Sequence, residues 1–171
     1  AVSPFNGNVY VLDVGDVVNR VQVYTGDTGE YLHEIPLEQV EYPSYKGLAF
    51  DAHGYLYTLD IRQGSILKMD VNNQRIVAEL AQDELQKAGT ADLAIDKSDN
   101  IYVLLHNSPE NSAIYIFDSK GELFKRFGNL NYDGSEHEPG TFMFPVSLAV
   151  SDDGKMIAVC ENGFITAYRF D

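Results

Sequence analysis

Asp13 and Asp16, Asp60 and Arg62, His106 and Asn107, and Glu161 and Asn162 each follow a short run rich in Val, Ile, Leu and Tyr. Carboxylates brought together with a histidine from several such places could hold Ca²⁺ or another divalent ion by oxygen ligation. An aspartate placed just after a strand has an ordinary role as well, capping the next turn by accepting its backbone N–H groups. For Asp13 and Asp60 that role is the first expectation, and His106 reads first as a polar loop residue. Asp13, Asp60, Arg62, His106 and Glu161 are the candidate ligand-binding residues.

Other chemistries have little support. There is no GxSxG elbow, no SxxK pair, no HExxH pair and no glycine-rich phosphate loop, since the glycines are scattered one per turn. His33, His53, His106 and His137 fall in different repeats or turns. Cys160 is the only cysteine, so no intrachain disulfide or CxxC metal knuckle can form. Its place in the apolar run "MIAVC" predicts a small buried thiol. The stretch "NLNYDGSEHEPG" (129–140) carries Asp133, Glu136, His137 and Glu138, but not in the alternating order of a Ca²⁺-binding helix–loop–helix, and reads as a solvated insertion. "HNSPENS" (106–112) reads as a second one.

What must position the candidates is a repeat. "GLAFDAHGYLYTLD" (47–60), "DLAIDKSDNIYVLL" (92–105) and "SLAVSDDGKMIAVC" (147–160) superpose, and "AVSPFNGNVYVLD" (1–13) supplies a fourth copy with Ala1 at the position of Leu48. The copies recur at roughly 45 to 55 residues, a period of solenoids and propellers. In each, two apolar runs flank an Asn/Asp/Gly turn, a third run follows, and three copies have a fourth. The unit is a four-stranded antiparallel meander, A to D. B strands such as "VYVL" and "IYVLL" are apolar without alternation, the pattern of a strand covered on both faces. Sheets stacked face to face around an axis give that covering. The expected fold is all-β: a β-propeller of about four blades, with the first and last incomplete. A single propeller domain, or a fragment of one, spans 1–171, with repeats at approximately 1–47, 48–92, 93–147 and 148–171. "AQDELQKAG" (81–89) is the one helical candidate.

At "GTFMFPVSLAVSDDGKMIAV" (140–159) and "GNVYVLDVGDVVNRVQVYTGDTGEYL" (7–32) the chain resembles the NHL-repeat propellers, with Asp13, Asn19 and Arg20 at family positions. It departs at Leu105 and Cys160, where the family has an aspartate after strand B. The resemblance implies a ring of about six blades. The first copy lacks the start of its A strand and the last ends after C, so missing blades or strand pairing with another chain are expected to cover the edges. Some six-bladed relatives are lactonases, esterases or amidating lyases built around a central Ca²⁺ or Zn²⁺.

A net charge of −14 disfavours nucleic acid and anionic lipid as partners. No apolar run approaches the ~20 residues of a membrane span. The leading expectation is a non-catalytic NHL-type module that binds a protein or glycan partner, or organises an assembly, in an extracellular or periplasmic setting. No cofactor is required, with Ca²⁺ the one to consider. The alternatives are a metal-dependent propeller enzyme of lactonase, esterase or lyase type, and a structural subunit of an extracellular filament.

Overall fold

The computed structural model describes residues 1–16, 18–38, 45–82, 85, 90–106, 113–130, 141–142, 144–161 and 163–169. Strands β1 (Val9–Val14), β2 (Asn19–Tyr24) and β3 (Tyr31–Pro36) form the first sheet, and Val2 bridges to Val9 at its edge. β4 (Tyr45–Phe50), β5 (Tyr55–Asp60), β6 (Ser65–Asp70) and β7 (Arg75–Leu80) form the second. The third contains β8 (Thr90–Ile95), β9 (Ile101–His106), β10 (Ala113–Phe117) and β11 (Leu123–Phe127). A short parallel pair, β12 (Asn129–Leu130) with β13 (Thr141–Phe142), precedes the last sheet of β14 (Ser147–Val150), β15 (Met156–Glu161) and β16 (Phe164–Arg169). Each blade is an antiparallel meander of sequential neighbours. The described residues contain no helix. Of the helical candidate at 81–89 only Ala81, Gln82 and Leu85 are described, none of them helical. The insertions at 107–112 and 131–140, with Asp133, Glu136, His137 and Glu138, lie outside the described residues.

Packing follows from the two-residue period of a strand, which sends successive side chains to opposite faces. On β5, Leu56 faces the first sheet, in a core with Tyr10, Val21, Val23 and Ile35. Tyr57 and Leu59 face the third, against Val103, Leu105 and Tyr115. On β9, Tyr102 and Leu104 turn to the fourth sheet and meet Ile157, Val159 and Leu148. Both faces of the inner B strands, β5 and β9, are therefore buried, which is why "IYVLL" does not alternate in polarity. By contrast β1, the "VYVL" expected to be covered on both faces, leaves Val11 exposed because no described sheet packs on its other side. The sheets come closest through their first strands, β4 with β8 and β8 with β14. The fourth strands, by contrast, expose pairs such as Tyr31 and Leu32, Ile76 and Val77, or Leu123 and Phe124. This is the partial β-propeller the repeat predicts, with B strands deeper than D strands.

The register corrects the alignment at both ends. Ala1 pairs with Tyr10 through two backbone hydrogen bonds, where Ala49 pairs with Tyr57 and Ala94 with Tyr102. Ala1 therefore stands at the position of Ala49, one place from the expected Leu48. The cause is turn length: Ser3 N–H bonds Asn8 and Ser151 N–H bonds Met156, whereas Asp51 bonds Tyr55 and Asp96 bonds Asn100. The outer two turns are one residue longer. In the fourth sheet the same insertion puts Glu161, not Cys160, at the position of Asp60. Cys160 is half-buried rather than fully enclosed.

Candidate functional site

The recurrent aspartate of each inner turn is a structural hub. Asp96 Oδ1 accepts the N–H groups of Ser98 (2.8 Å) and Asn100 (3.0 Å), while Oδ2 accepts Asn100 Nδ2 (2.8 Å) and the Tyr102 hydroxyl (3.0 Å). Asp51 repeats this with His53, Tyr55 and the Tyr57 hydroxyl, and adds an ion pair to Lys68 at 3.3 Å. Burial, then the neighbouring carboxylate, pushes both phenols well above the ordinary tyrosine range, so Tyr57 and Tyr102 remain donors. The turns also join blades. Asp99 Oδ1 accepts Ala52 N–H from the preceding blade at 2.8 Å and its other oxygen lies 3.0 Å from His53 Nε2. Asp92 Oδ2 accepts the Ser147 hydroxyl and Leu148 N–H of the following blade. Gly154, at φ +69°, packs where a Cβ would lie 2.6 Å from Asp96 Oδ2. Asp51 and Asp96 thus close their own turns, while Asp99 and Asp92 brace the neighbouring blades.

The five candidates fall in four sheets: Asp60 and Arg62 share one turn of the second, and Asp13, His106 and Glu161 lie apart in the first, third and fourth. Asp13 lies on the face of the first sheet, its Oδ2 2.8 Å from Arg20 Nε and 2.5 Å from Gln22 Nε2. Arg20 continues the chain of charges to Glu34 at 2.7 Å. Hydrogen bonds from Arg20 and then Gln22 hold the Asp13 carboxyl below its usual range. Asp60, 3% exposed, accepts the N–H groups of Arg62 and Gln63 at 3.0 Å through Oδ1, the turn cap expected of it. His106 sets its ring edge-on to Phe144, with centroids 5.9 Å apart. Glu161, only 2% exposed, accepts the Thr166 hydroxyl at 3.0 Å. Among the described residues no three His, Cys, Asp or Glu side chains stand close enough to hold a metal ion.

Asp60 does open onto a cleft of about 400 Å³ between the first and second blades. Buried Tyr45, Asp60 and Leu67 contribute to it with Ile76, and Glu38 and Glu79 bring two exposed carboxylates. Gln63 and Gln82 add amides. Glu38 is anchored through its backbone: its carbonyl accepts Asn19 Nδ2 (3.2 Å) and the Tyr45 hydroxyl (3.3 Å). Its carboxylate lies 4.0 Å from Arg62. Glu79 is oriented by the Ser65 hydroxyl at 2.7 Å. Burial, then Asp60 and Glu38, push the Tyr45 phenol up to about 12. Glu38, Tyr45 and Glu79 were not among the sequence candidates. The cleft takes them from the ends of separate strands in two blades, and no spacing within one repeat reveals that.

Comparison with solved structures places this geometry in a class. No family profile and no curated protein matches the chain. Hydrazine synthase of Kuenenia stuttgartiensis shares 16% identity at a TM-score of 0.62, over 98% of this chain and 44% of that one. A functionally unknown protein from Desulfotomaculum acetoxidans shares 14% at 0.67, over 100% and 50%. A catalytically inactive virginiamycin B lyase from Staphylococcus aureus with quinupristin shares 15% at 0.66, over 99% and 54%. At such identities the likeness is one of fold, and the fold is a β-propeller. The chain spans about half the length of the structures it matches.

Proposed function

We propose that the protein is an NHL-type propeller acting as a non-catalytic protein- or ligand-binding module outside the cytoplasm. The observation that carries this reading is the employment of the candidate carboxylates. Asp13, Asp60 and Glu161 each satisfy groups of their own sheet, and an open, chemically mixed cleft lies beside Asp60. A propeller suits the role because its loops vary over a rigid stack of sheets. The acidic surface favours a cationic partner over an anionic one. The outer edge of β16, where Ile165 is 72% exposed, offers a further place for strand pairing with another chain or with more blades.

A metal-dependent enzyme of the lactonase, esterase or lyase type would need carboxylates or histidines from several blades around one axis. The test is steady-state turnover of lactone and ester substrates with Ca²⁺ or Zn²⁺ supplied, for the native chain and for Asp60→Asn with His106→Ala. The expected result is equal, background rates. Turnover in the native protein that the double variant loses would overturn the reading.

A further inference from the structure

The cleft beside Asp60 has a lining with a definite chemical preference. Its apolar part, Leu67 and Ile76, adjoins the Tyr45 phenol. Among the described residues its ionisable lining is acidic, Glu38, Asp60 and Glu79, together with Tyr45, and Arg62 lies 4.0 Å from the Glu38 carboxylate. The volume, about 400 Å³, exceeds by roughly tenfold the ~30 Å³ that one water occupies in the liquid. It lies within the range of small-ligand sites. Glu38 follows the last strand of the first blade and Glu79 lies on β7 of the second, so the two exposed carboxylates reach the cleft from different blades. Both have fixed attachments: Glu38 through its carbonyl, Glu79 through the Ser65 hydroxyl.

Each class of ligand can be weighed against that lining. An anion meets three carboxylates. A divalent cation needs six to eight oxygens drawn in to about 2.3–2.6 Å, and among the described residues no three His, Cys, Asp or Glu side chains are grouped to hold one. A neutral alcohol finds the apolar wall but brings no charge to Glu79, which accepts the Ser65 hydroxyl, or to Glu38, which lies 4.0 Å from Arg62. A cation with an alkyl stem satisfies both: carbon against Leu67 and Ile76, charge toward Glu38 and Glu79.

We propose that this cleft binds a primary ammonium group on a short alkyl stem, either a free amine or a lysine side chain of a partner protein. The assignment rests on the binding-module reading and gives that module its ligand class. The experiment is calorimetric titration of the full chain with n-pentylamine at neutral pH, n-pentanol, CaCl₂ and an end-blocked tripeptide with central lysine. Pentylammonium is expected to bind at least tenfold more tightly than pentanol. Glu38→Gln with Glu79→Gln, both exposed and tolerant of substitution, should weaken it about tenfold, or about 1.4 kcal/mol. Tighter binding of the peptide than of pentylamine assigns the cleft to a partner's lysine, and the reverse order to a free amine. Equal binding of pentanol, displacement of the amine by stoichiometric Ca²⁺, or no saturable binding to the native chain overturns the proposal. Mass analysis of the recovered amine separates the two claims. A chemically altered amine would refute the non-catalytic reading and leave the ligand class standing.

Discussion

Replacing Asp96 with asparagine changes one atom and unsettles the turn joining β8 to β9. The carboxylate accepts four hydrogen bonds, two from backbone N–H groups and two from Asn100 and Tyr102. An asparagine keeps one oxygen. If that oxygen serves the backbone pair, the new NH₂ faces Asn100 Nδ2 as donor against donor, and only the Tyr102 hydroxyl can turn to accept. One charge-assisted bond, worth about 1.5–3 kcal/mol, is then lost outright, and the others lose their charge assistance. Relief of the buried charge's desolvation offsets part of this. The net cost is about 2–4 kcal/mol, or a fall of roughly 4–16 °C in Tm at 2–4 °C per kcal/mol for a chain of this size. Asp96→Ser should cost less than Asp96→Ala. Ser3 and Ser151 occupy the same position in the outer turns and accept backbone N–H groups there. Urea unfolding followed by near-ultraviolet circular dichroism of the tyrosines, with a double-mutant cycle against Tyr102→Phe, measures each quantity. A loss below about 1 kcal/mol for Asp96→Asn, or no coupling to Tyr102, would refute the hub.

Gly154→Ala should destabilise well beyond Gly163→Ala. Both glycines have positive φ, but only at Gly154 would the new Cβ strike Asp96 and Tyr102; at Gly163 the space is open. Equal losses in urea midpoint would contradict this. At high pH, Tyr45, raised to about 12, contributes stability that is fully present below pH 10 and lost as pH climbs toward that value. Ultraviolet titration should show Tyr45→Phe removing the latest-titrating class of phenols that precedes Tyr57 and Tyr102. At low pH the sign reverses. Hydrogen bonds hold Asp13, Asp70, Asp118 and Asp153 below the ordinary 3.8, so their contribution is intact above that value and disappears as pH falls through the lowered ones. Asparagine at all four positions should flatten the acid limb of a stability–pH curve, and an unchanged limb would count against those bonds.

The repeat made the sheets legible because a B strand buried on both faces cannot alternate. "IYVLL" declares its own depth, and β9 is buried from Ile101 to Leu105. The turns were legible as turns but not in their length. One extra residue after Ser3 and another after Ser151 shift the copies without disturbing the apolar pattern, so Cys160 and not Glu161 seemed to match Asp60. Tyr57 and Tyr102 looked like ordinary strand aromatics, and their bonds to Asp51 and Asp96 appear only once the hairpin folds back. The turn cap at Asp60 followed from its type and place. The cleft around it did not, because Glu38 lies on the preceding blade and Glu79 two strands away.

The central claim is that the carboxylates after the B strands serve the fold and do not hold a metal. Thermal unfolding in EDTA and in millimolar Ca²⁺, for the native chain and for Asp13→Asn with Asp60→Asn, tests it most directly. A site half as well built as a dedicated one would show itself, since ligand at 100 times its Kd adds about 2.7 kcal/mol. The account predicts that the double variant melts lower and that Ca²⁺ and EDTA leave the gap between the two proteins unchanged. A rise of several degrees with Ca²⁺ in the native chain, absent from the variant, would contradict it.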